Sequence, residues 1–144
     1  HPYPSPQGIW ITGTITHADH GLSKRLTKHS IFDILREMAW TVSTLNSVVD
    51  AEVEALPPDM RARLVRLSEI IEAHGIGTLP RDTVEHLEGK LWELRLRGRS
   101  GISRAIYVTA TGQRVVIVRV FVKKTQKTPR NELRIARERA KEVP

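Results

Sequence analysis

Leu91-Trp92-Glu93-Leu94-Arg95-Leu96-Arg97 alternates between apolar and charged side chains, and the fold class follows from this pattern. Because successive side chains of a β-strand point to opposite faces, the stretch predicts a strand with one apolar and one charged face. The apolar face carries Trp92, Leu94 and Leu96. The charged face carries Glu93, Arg95 and Arg97. A sheet with one apolar face needs helices to cover it.

The chain before this strand supplies two helices. Apolar residues recur at helical spacing on both sides of Pro57-Pro58, and this dipeptide interrupts the pattern because proline lacks an amide donor. Pro58 suits the first turn of the second helix, and Gly75 suits the position just past its end. The sequence therefore predicts a helical hairpin over residues 46–74 that packs on the sheet.

Two further strands are predicted after the alternating stretch. Residues 102–109 and 114–122 are rich in β-branched side chains, and the short segment between them indicates a hairpin loop. In the last strand one side is predicted to hold Val116, Val118, Val120 and Val122. The other side is predicted to hold Arg119, Phe121 and Lys123. With a basic helix after Pro129, the prediction is an α+β domain whose antiparallel sheet packs against an N-terminal helical hairpin.

The sequence pattern changes at Met38. Residues 1–6 alternate proline with other residues, which disfavours both helix and central strand, while Met38 is followed at once by a β-rich run over residues 39–45. We therefore expect residues 38–144 to form the compact domain. Residues 1–37 are expected to be an extension, either disordered or not native to the protein; an arm that contacts a partner is the alternative.

Positive charge is concentrated in the last third of the chain. Residues 89–144 hold 15 Lys and Arg against 4 Asp and Glu, whereas residues 1–88 hold 8 against 12. A field of this sign and density attracts polyanions, so nucleic acid is the first partner to consider.

Other broad classes of protein fit the composition less well. No apolar run approaches the roughly 20 residues of a membrane span, and no signal-peptide pattern is present. The absence of cysteine fits a reducing cytoplasm. His17 and His20 stand three apart without a third ligand in view. The sequence predicts a cytoplasmic protein with no membrane contact, no cofactor and no metal.

Three blocks of sequence, residues 87–95, 101–107 and 121–129, occur in an order and at a spacing that resemble the RelE/ParE superfamily of bacterial and phage toxins. The HigB-like, phage-associated members are the most similar, and the resemblance covers about residues 39–143. It implies a RelE-like fold and a type II toxin that cuts messenger RNA on the ribosome and so inhibits translation. The implied partners are the ribosome, messenger RNA and a cognate helix-turn-helix antitoxin.

Metal-independent RNA cleavage needs a base for the 2′-hydroxyl, a cation for the charged transition state and an acid for the leaving oxygen. Arg104 matches the arginine of the family's Arg-x-x-Tyr pattern, and a guanidinium can hold two phosphate oxygens at once. The predicted catalytic residues are Arg104, Tyr107, Lys123 and Lys124. The predicted RNA-binding residues are Arg95, Arg97, Arg119, Phe121, Lys127 and Arg130.

Several of these residues have a structural alternative. Arg104 could equally form an ion pair with Glu93, Tyr107 could pack in the core, and Arg95 could belong to a solvated strand face. Residues 121–129 contain no histidine or acidic residue that would serve as an obvious base. Two other functions therefore stay open: non-nucleolytic inhibition of DNA gyrase, as in ParE-like members, and a non-toxic phage RNA-binding module.

Overall fold

The computed structural model describes Ser30, Ile31 and residues 39–144. Met38 and nearly all of the predicted extension, including His17 and His20, lie outside the described residues. The domain boundary at Met38 therefore stays a prediction.

The described residues form an α+β domain, which confirms the predicted fold class. Its strands are β1 Thr41–Thr44, β2 Val84–Glu88, β3 Leu91–Gly98, β4 Gly101–Ala110 and β5 Arg114–Val122. Its helices are α1 Ser47–Glu54, α2 Pro58–His74 and α3 Arg130–Ala140, with a 3₁₀ turn at Ile76–Thr78. The helical hairpin and the C-terminal helix lie where the sequence predicts them.

The five strands form one sheet in the order β1-β5-β4-β3-β2. Four of them pair antiparallel, but β1 runs parallel to β5. The predicted antiparallel pairing of the last three strands is confirmed, whereas the parallel pair of β1 and β5 makes the sheet mixed and not antiparallel throughout. The long connection between β1 and β5 permits the crossover that a parallel pair requires. The edge strand β2 was not predicted at all, since its five residues give only a weak alternation.

The ends of the helices follow from their local sequence. Asn46 caps α1, and its side-chain Oδ1 accepts hydrogen bonds from the amides of Val48 and Val49 at 3.0 and 3.1 Å. Pro58 begins α2, where its missing amide is not needed. Gly75 follows the last residue of α2 with a φ of 94°, in the region that glycine adopts without strain, as predicted.

Both faces of the sheet are covered by helices. On the hairpin side, the buried residues of the sheet pack against α1 and α2; they include Val42, Leu94, Leu96, Ala105, Tyr107, Val115, Ile117 and Val120. On the other side, a smaller cluster packs against Ala136 and Ala140 of α3; it includes Leu91, Ile106, Val108, Val116 and Val118. The basic helix thus covers part of the face that the sequence predicted to be charged.

The alternation in β3 is confirmed in its middle and corrected at its start. Leu94 and Leu96 are fully buried on the hairpin side, as predicted. Trp92 is 39% exposed, because it lies near the start of the strand, and its ring lies 4.8 Å from that of His86. Glu93, predicted on a charged outer face, is 0% exposed. A charge in that position needs a buried partner.

A β-bulge divides β5 and corrects the predicted assignment of its faces. The pairing of β4 with β5 shifts by one residue, since Ile106 pairs with Arg119 but Tyr107 pairs with Ile117. The extra residue reverses the alternation along the strand. Val118 therefore packs under α3, whereas Val120 packs with the helical hairpin.

A cluster of four charged side chains joins α1, β5 and α3 at this bulge. The Glu52 carboxylate accepts hydrogen bonds from the Val120 amide at 3.0 Å and from Arg119 Nη1 at 2.7 Å. Arg139 Nη1 of α3 lies 2.8 Å from the same carboxylate. Glu132 accepts a second hydrogen bond from Arg119, at 2.5 Å from its Nε. Glu52 thus connects the hairpin to the C-terminal helix through the bulged strand.

Glu52→Gln keeps the shape of this side chain and removes its charge. We expect the free energy of unfolding in urea to fall by about 2 kcal/mol, because hydrogen bonds to charged groups contribute about 1.5–3 kcal/mol each. The matched control is Glu138→Gln, whose carboxylate pairs with Lys141 on the surface. A change below about 0.5 kcal/mol is expected there, and equal effects of the two variants would contradict the assigned role of Glu52.

Candidate nucleic-acid interface

The register of the sheet arranges five of the predicted site residues in two rows across β3, β4 and β5. Arg95, Arg104 and Phe121 form the first row, through direct pairing of neighbouring strands. Arg97 pairs with Ile102, whose carbonyl accepts a hydrogen bond from the amide of Lys123 at 2.8 Å, and these form the second row. With strands about 4.8 Å apart, each row spans about 10 Å.

These rows lie on the face that α3 covers further along the strands. Arg104 precedes Ile106 by two residues, and Ile106 belongs to the cluster under α3. Side chains two residues apart on a strand share a face. The rows are therefore the end of this face that α3 leaves uncovered.

The lysine loop, residues 123–128, follows β5 and borders the two rows. Lys124 and Lys127 are exposed and Lys123 is partly exposed. The Thr125 hydroxyl donates a hydrogen bond to the Lys127 carbonyl at 2.7 Å within the loop. The loop thus presents two cations to solvent, and Arg130, exposed at the start of α3, adds a third.

Arg104 lies beneath this loop in a buried network. It is 2% exposed, and its guanidinium contacts Glu93 in a direct ion pair. Its Nη1 also donates to the Thr128 hydroxyl at 2.9 Å, and its Nη2 donates to the Gln126 carbonyl at 3.0 Å. Thr128 in turn donates to Glu93 at 2.8 Å. The structural alternative for Arg104, an ion pair with Glu93, is the one observed.

Burial dominates the titration of both members of this ion pair. It raises the pKa of Glu93 above the ordinary carboxyl value, against the hydrogen bond from Thr128 and the charge of Arg104, which both lower it. Burial also lowers the pKa of Arg104, while the charge of Glu93 raises it. Both charges are poorly solvated, so each is stabilised mainly by its ion pair with the other.

Two more of the predicted RNA-binding arginines are also engaged within the chain. Arg95 forms an ion pair with Glu85 and donates a hydrogen bond from its Nη1 to the Asp82 carbonyl at 3.1 Å. Arg119 belongs to the cluster around Glu52, and its hydrogen bond to Glu132 is the largest of the causes that raise its pKa. The structure gives both side chains structural partners.

The remaining predicted RNA-binding residues lie near the surface. Arg97 is exposed in the second row, and Phe121 is partly buried against the cluster under α3. With the lysine loop and Arg130, this end of the face therefore combines exposed cations with a partly exposed aromatic side chain. Phosphate contacts and base stacking are the interactions such a surface can make with a nucleic acid.

Tyr107 is separated from the other predicted catalytic residues. It is 2% exposed and belongs to the core cluster under the helical hairpin, on the side of the sheet opposite to Arg104. Burial raises the pKa of Tyr107 to about 12. The structure brings Arg104, Lys123 and Lys124 to one end of the sheet and leaves Tyr107 in the core.

The raised pKa of Tyr107 predicts a loss of stability in alkali. A group whose pKa is higher in the folded state stabilises the fold fully below its unfolded value, near 10, and this contribution is lost as the pH rises through the folded value of about 12. We expect the difference in unfolding free energy between the native chain and Tyr107→Phe to change by about 2–3 kcal/mol over that interval. Urea unfolding between these pH values measures it, and a constant difference would contradict the assignment.

Sequence reasoning did not assign Glu93 and Thr128 to the site. The alternation of β3 indicated that Glu93 was exposed, and only its charge, opposite to that of Arg104, signalled a pair. Thr128 gave no signal, because hydroxyl groups in a loop are ordinary surface residues. Both positions depend on contacts between segments distant in sequence.

A family model described as phage derived protein Gp49-like (DUF891) matches residues 51–141. This match spans more than half of the chain and includes α2, the whole of β2–β5 and α3. The chain belongs to the Gp49-like family. This phage-derived, toxin-like family falls within the RelE superfamily, in agreement with the resemblance on which the sequence prediction rests. No curated protein matches the chain.

Two other properties of the described residues concern possible partners. None of the helices there has the length and apolar character needed to cross a membrane. Within the same residues, histidines and carboxylates form no group of three or more that could hold a metal ion.

Proposed function

We propose that this Gp49-like chain is the toxin of a type II toxin–antitoxin pair and that it cuts messenger RNA on the ribosome. The observation that supports this best is the exposed group of Arg97, Lys124 and Lys127 at the uncovered end of the sheet. These cations are held on rigid elements or next to them, in a chain of a toxin-like family. A HigB-like toxin is the specific form that the sequence resemblance favours.

The chemistry that this site would perform is an intramolecular transesterification of RNA, in which the phosphoryl group passes from the 5′-oxygen to the neighbouring 2′-oxygen. A base removes the proton of the 2′-hydroxyl, the freed oxygen attacks the adjacent phosphorus, and the 5′-oxygen leaves with a proton from an acid. A 2′,3′-cyclic phosphate and a 5′-hydroxyl end are formed. Lys123 and Lys124 would stabilise the charge that develops on the phosphoryl oxygens.

Phe121 and Arg97 would orient the RNA for this reaction. Aromatic stacking contributes about 1–3 kcal/mol per base in single-strand binding, and the partly buried Phe121 ring has neighbours that fix its position. Arg97 and Lys127 are exposed cations of the same end of the sheet and would contact phosphates of the RNA.

A second candidate function is supported by the burial of two of the four predicted catalytic side chains. Arg104 and Tyr107 are each 2% exposed, so neither is accessible to a phosphate in this conformation. A toxin that acts without cutting RNA, as an inhibitor of DNA gyrase does, does not need an accessible catalytic side chain. The two candidates differ in whether RNA is cleaved.

The cognate antitoxin is expected to be a helix-turn-helix protein with an acidic docking segment. Residues 89–144 carry 15 positive against 4 negative side chains, and covering such a surface requires opposite charge. A neutral docking segment would count against this expectation.

Removing the positive charges of Lys124 and Lys127 tests the proposed contact with RNA. The lysine variant carries Lys124→Gln and Lys127→Gln, and the control carries Arg63→Gln and Arg66→Gln, two exposed cations of α2. Binding of a short single-stranded RNA is measured by fluorescence anisotropy at several salt concentrations. We expect the slope of log affinity against log salt to become shallower by about 1.4 in the lysine variant, since each phosphate contact on a single strand contributes about 0.7.

An unchanged slope in the lysine variant would contradict the proposed contact. A similar loss in the control would show that net charge alone carries the binding, because the control removes the same charge from the other side of the molecule.

Mapping of messenger RNA 5′ ends after induction in a bacterial host tests cleavage. We expect new ends within translated codons for the native chain, reduced by about tenfold or more in the lysine variant, because removal of a group that stabilises transition-state charge has at least this effect. The control variant should cut like the native chain. Continued translation together with rising DNA-damage signalling would contradict cleavage and support gyrase inhibition.

A further inference from the structure

The lysine loop is joined to the sheet by buried side chains rather than by its exposed ones. Arg104 contributes one nitrogen to the Gln126 carbonyl and another to the Thr128 hydroxyl, at 3.0 and 2.9 Å. Thr128 also donates to Glu93, which is fully buried. The loop therefore depends on a network whose charged members the solvent does not reach.

The lysines of this loop that are proposed to bind RNA lie on its outer side. Lys124 and Lys127 are exposed and lie on either side of Gln126, the residue whose carbonyl Arg104 holds. The backbone between the two lysines is thus fixed from below at one point, and Thr128 fixes it at a second point just after Lys127. These two anchors hold the stretch of backbone from which the two lysine side chains extend.

We propose that Glu93, Arg104 and Thr128 are positioning residues, which hold the lysine loop in the shape that presents Lys124 and Lys127 together to RNA phosphates. The proposal rests on the proposed function for the identity of the ligand. It assigns Arg104 an indirect role: Arg104 binds the loop, and the loop binds the phosphate.

The chemistry of the network fits positioning better than stability alone. Replacing a buried ion pair by apolar residues of similar volume is often neutral or stabilising, so a buried pair is weak evidence for a purely stabilising role. The planar guanidinium of Arg104 reaches a carboxylate, a hydroxyl and a carbonyl from one position, which a lysine ammonium cannot do with the same geometry. Among the residues that the structure describes, its Nε has no hydrogen-bond partner, so the guanidinium contacts the loop and Glu93 with its two terminal nitrogens.

Thr128→Val tests the proposal because it removes the hydroxyl and keeps the shape of the side chain. The control is Thr109→Val, the same change at an exposed position of β4. Thr128→Ser keeps the hydroxyl and should restore native behaviour. Thr128→Ala, which also lacks the hydroxyl but is smaller, is the second variant and should behave like Thr128→Val.

Two measurements on the full chain are compared among these variants. Amide hydrogen exchange of Lys123, the residue of the lysine loop whose amide donates to the Ile102 carbonyl, should become about tenfold faster in Thr128→Val and stay native in the control, because the loss of a hydrogen bond to a charged group corresponds to a factor of about this size. Affinity for the single-stranded RNA should fall about tenfold in Thr128→Val and stay native in Thr109→Val. Exchange in β3, β4 and α2 should be unchanged, which a general loss of stability would not allow.

Native exchange in the loop of Thr128→Val and Thr128→Ala, or native RNA affinity despite faster exchange, would overturn the positioning role. The failure of the proposed function is distinguishable from this. If the native chain does not bind RNA, the function is wrong, whereas the exchange comparison still decides whether Thr128 holds the loop.

Discussion

The buried ion pair between Glu93 and Arg104 is the interaction that connects the interior of this sheet to its basic surface. Taking two charges out of water costs several kcal/mol per ion, and the pair is tolerated only where further hydrogen bonds complete it. Thr128 and the Gln126 carbonyl provide those bonds, and both belong to the loop outside the sheet. Movement of the loop away from the sheet would break these hydrogen bonds to Arg104 and Glu93. Sheet and loop are therefore coupled energetically, although they are joined by few contacts.

A second charged cluster fixes α3 in a similar way. Glu52 accepts hydrogen bonds from Val120, Arg119 and Arg139, so a residue of α1 holds both the β-bulge and the C-terminal helix. Because of the bulge, Val118 and Val120 lie on opposite sides of the sheet. The strand β5 therefore contributes side chains both to the core under the helical hairpin and to the cluster under α3. The position of the helix on the outer face is fixed at this cluster, and the end of that face that α3 leaves uncovered carries the exposed Arg97.

Much of the architecture could be predicted from local patterns, and the site largely could not. The alternation around Leu94, the proline at position 58 and the glycine at position 75 each act through their own backbone or neighbours, so the sequence contains enough information about them. The burial of Glu93, the parallel pairing of β1 and the bulge at Val118 depend on segments that meet only in the folded chain. The sequence resemblance indicated the correct superfamily. It could not show that the side chain of Tyr107 lies on the face of the sheet opposite to Arg104.

Only some of the positive charges in the sequence are available on the surface, and this limits what the protein can bind. Arg95, Arg104 and Arg119 are neutralised by carboxylates, so they contribute little field outside the protein. Arg97 and the exposed lysines of the loop lie at one end of the sheet, and among the ion pairs of the described residues none involves Arg97, Lys124 or Lys127. A polyanion would therefore contact a short strip of positive charge and not a broad basic surface. A strip of this size fits a few successive phosphates of a single strand, and its geometry is set by the shape of the loop more than by the number of cations.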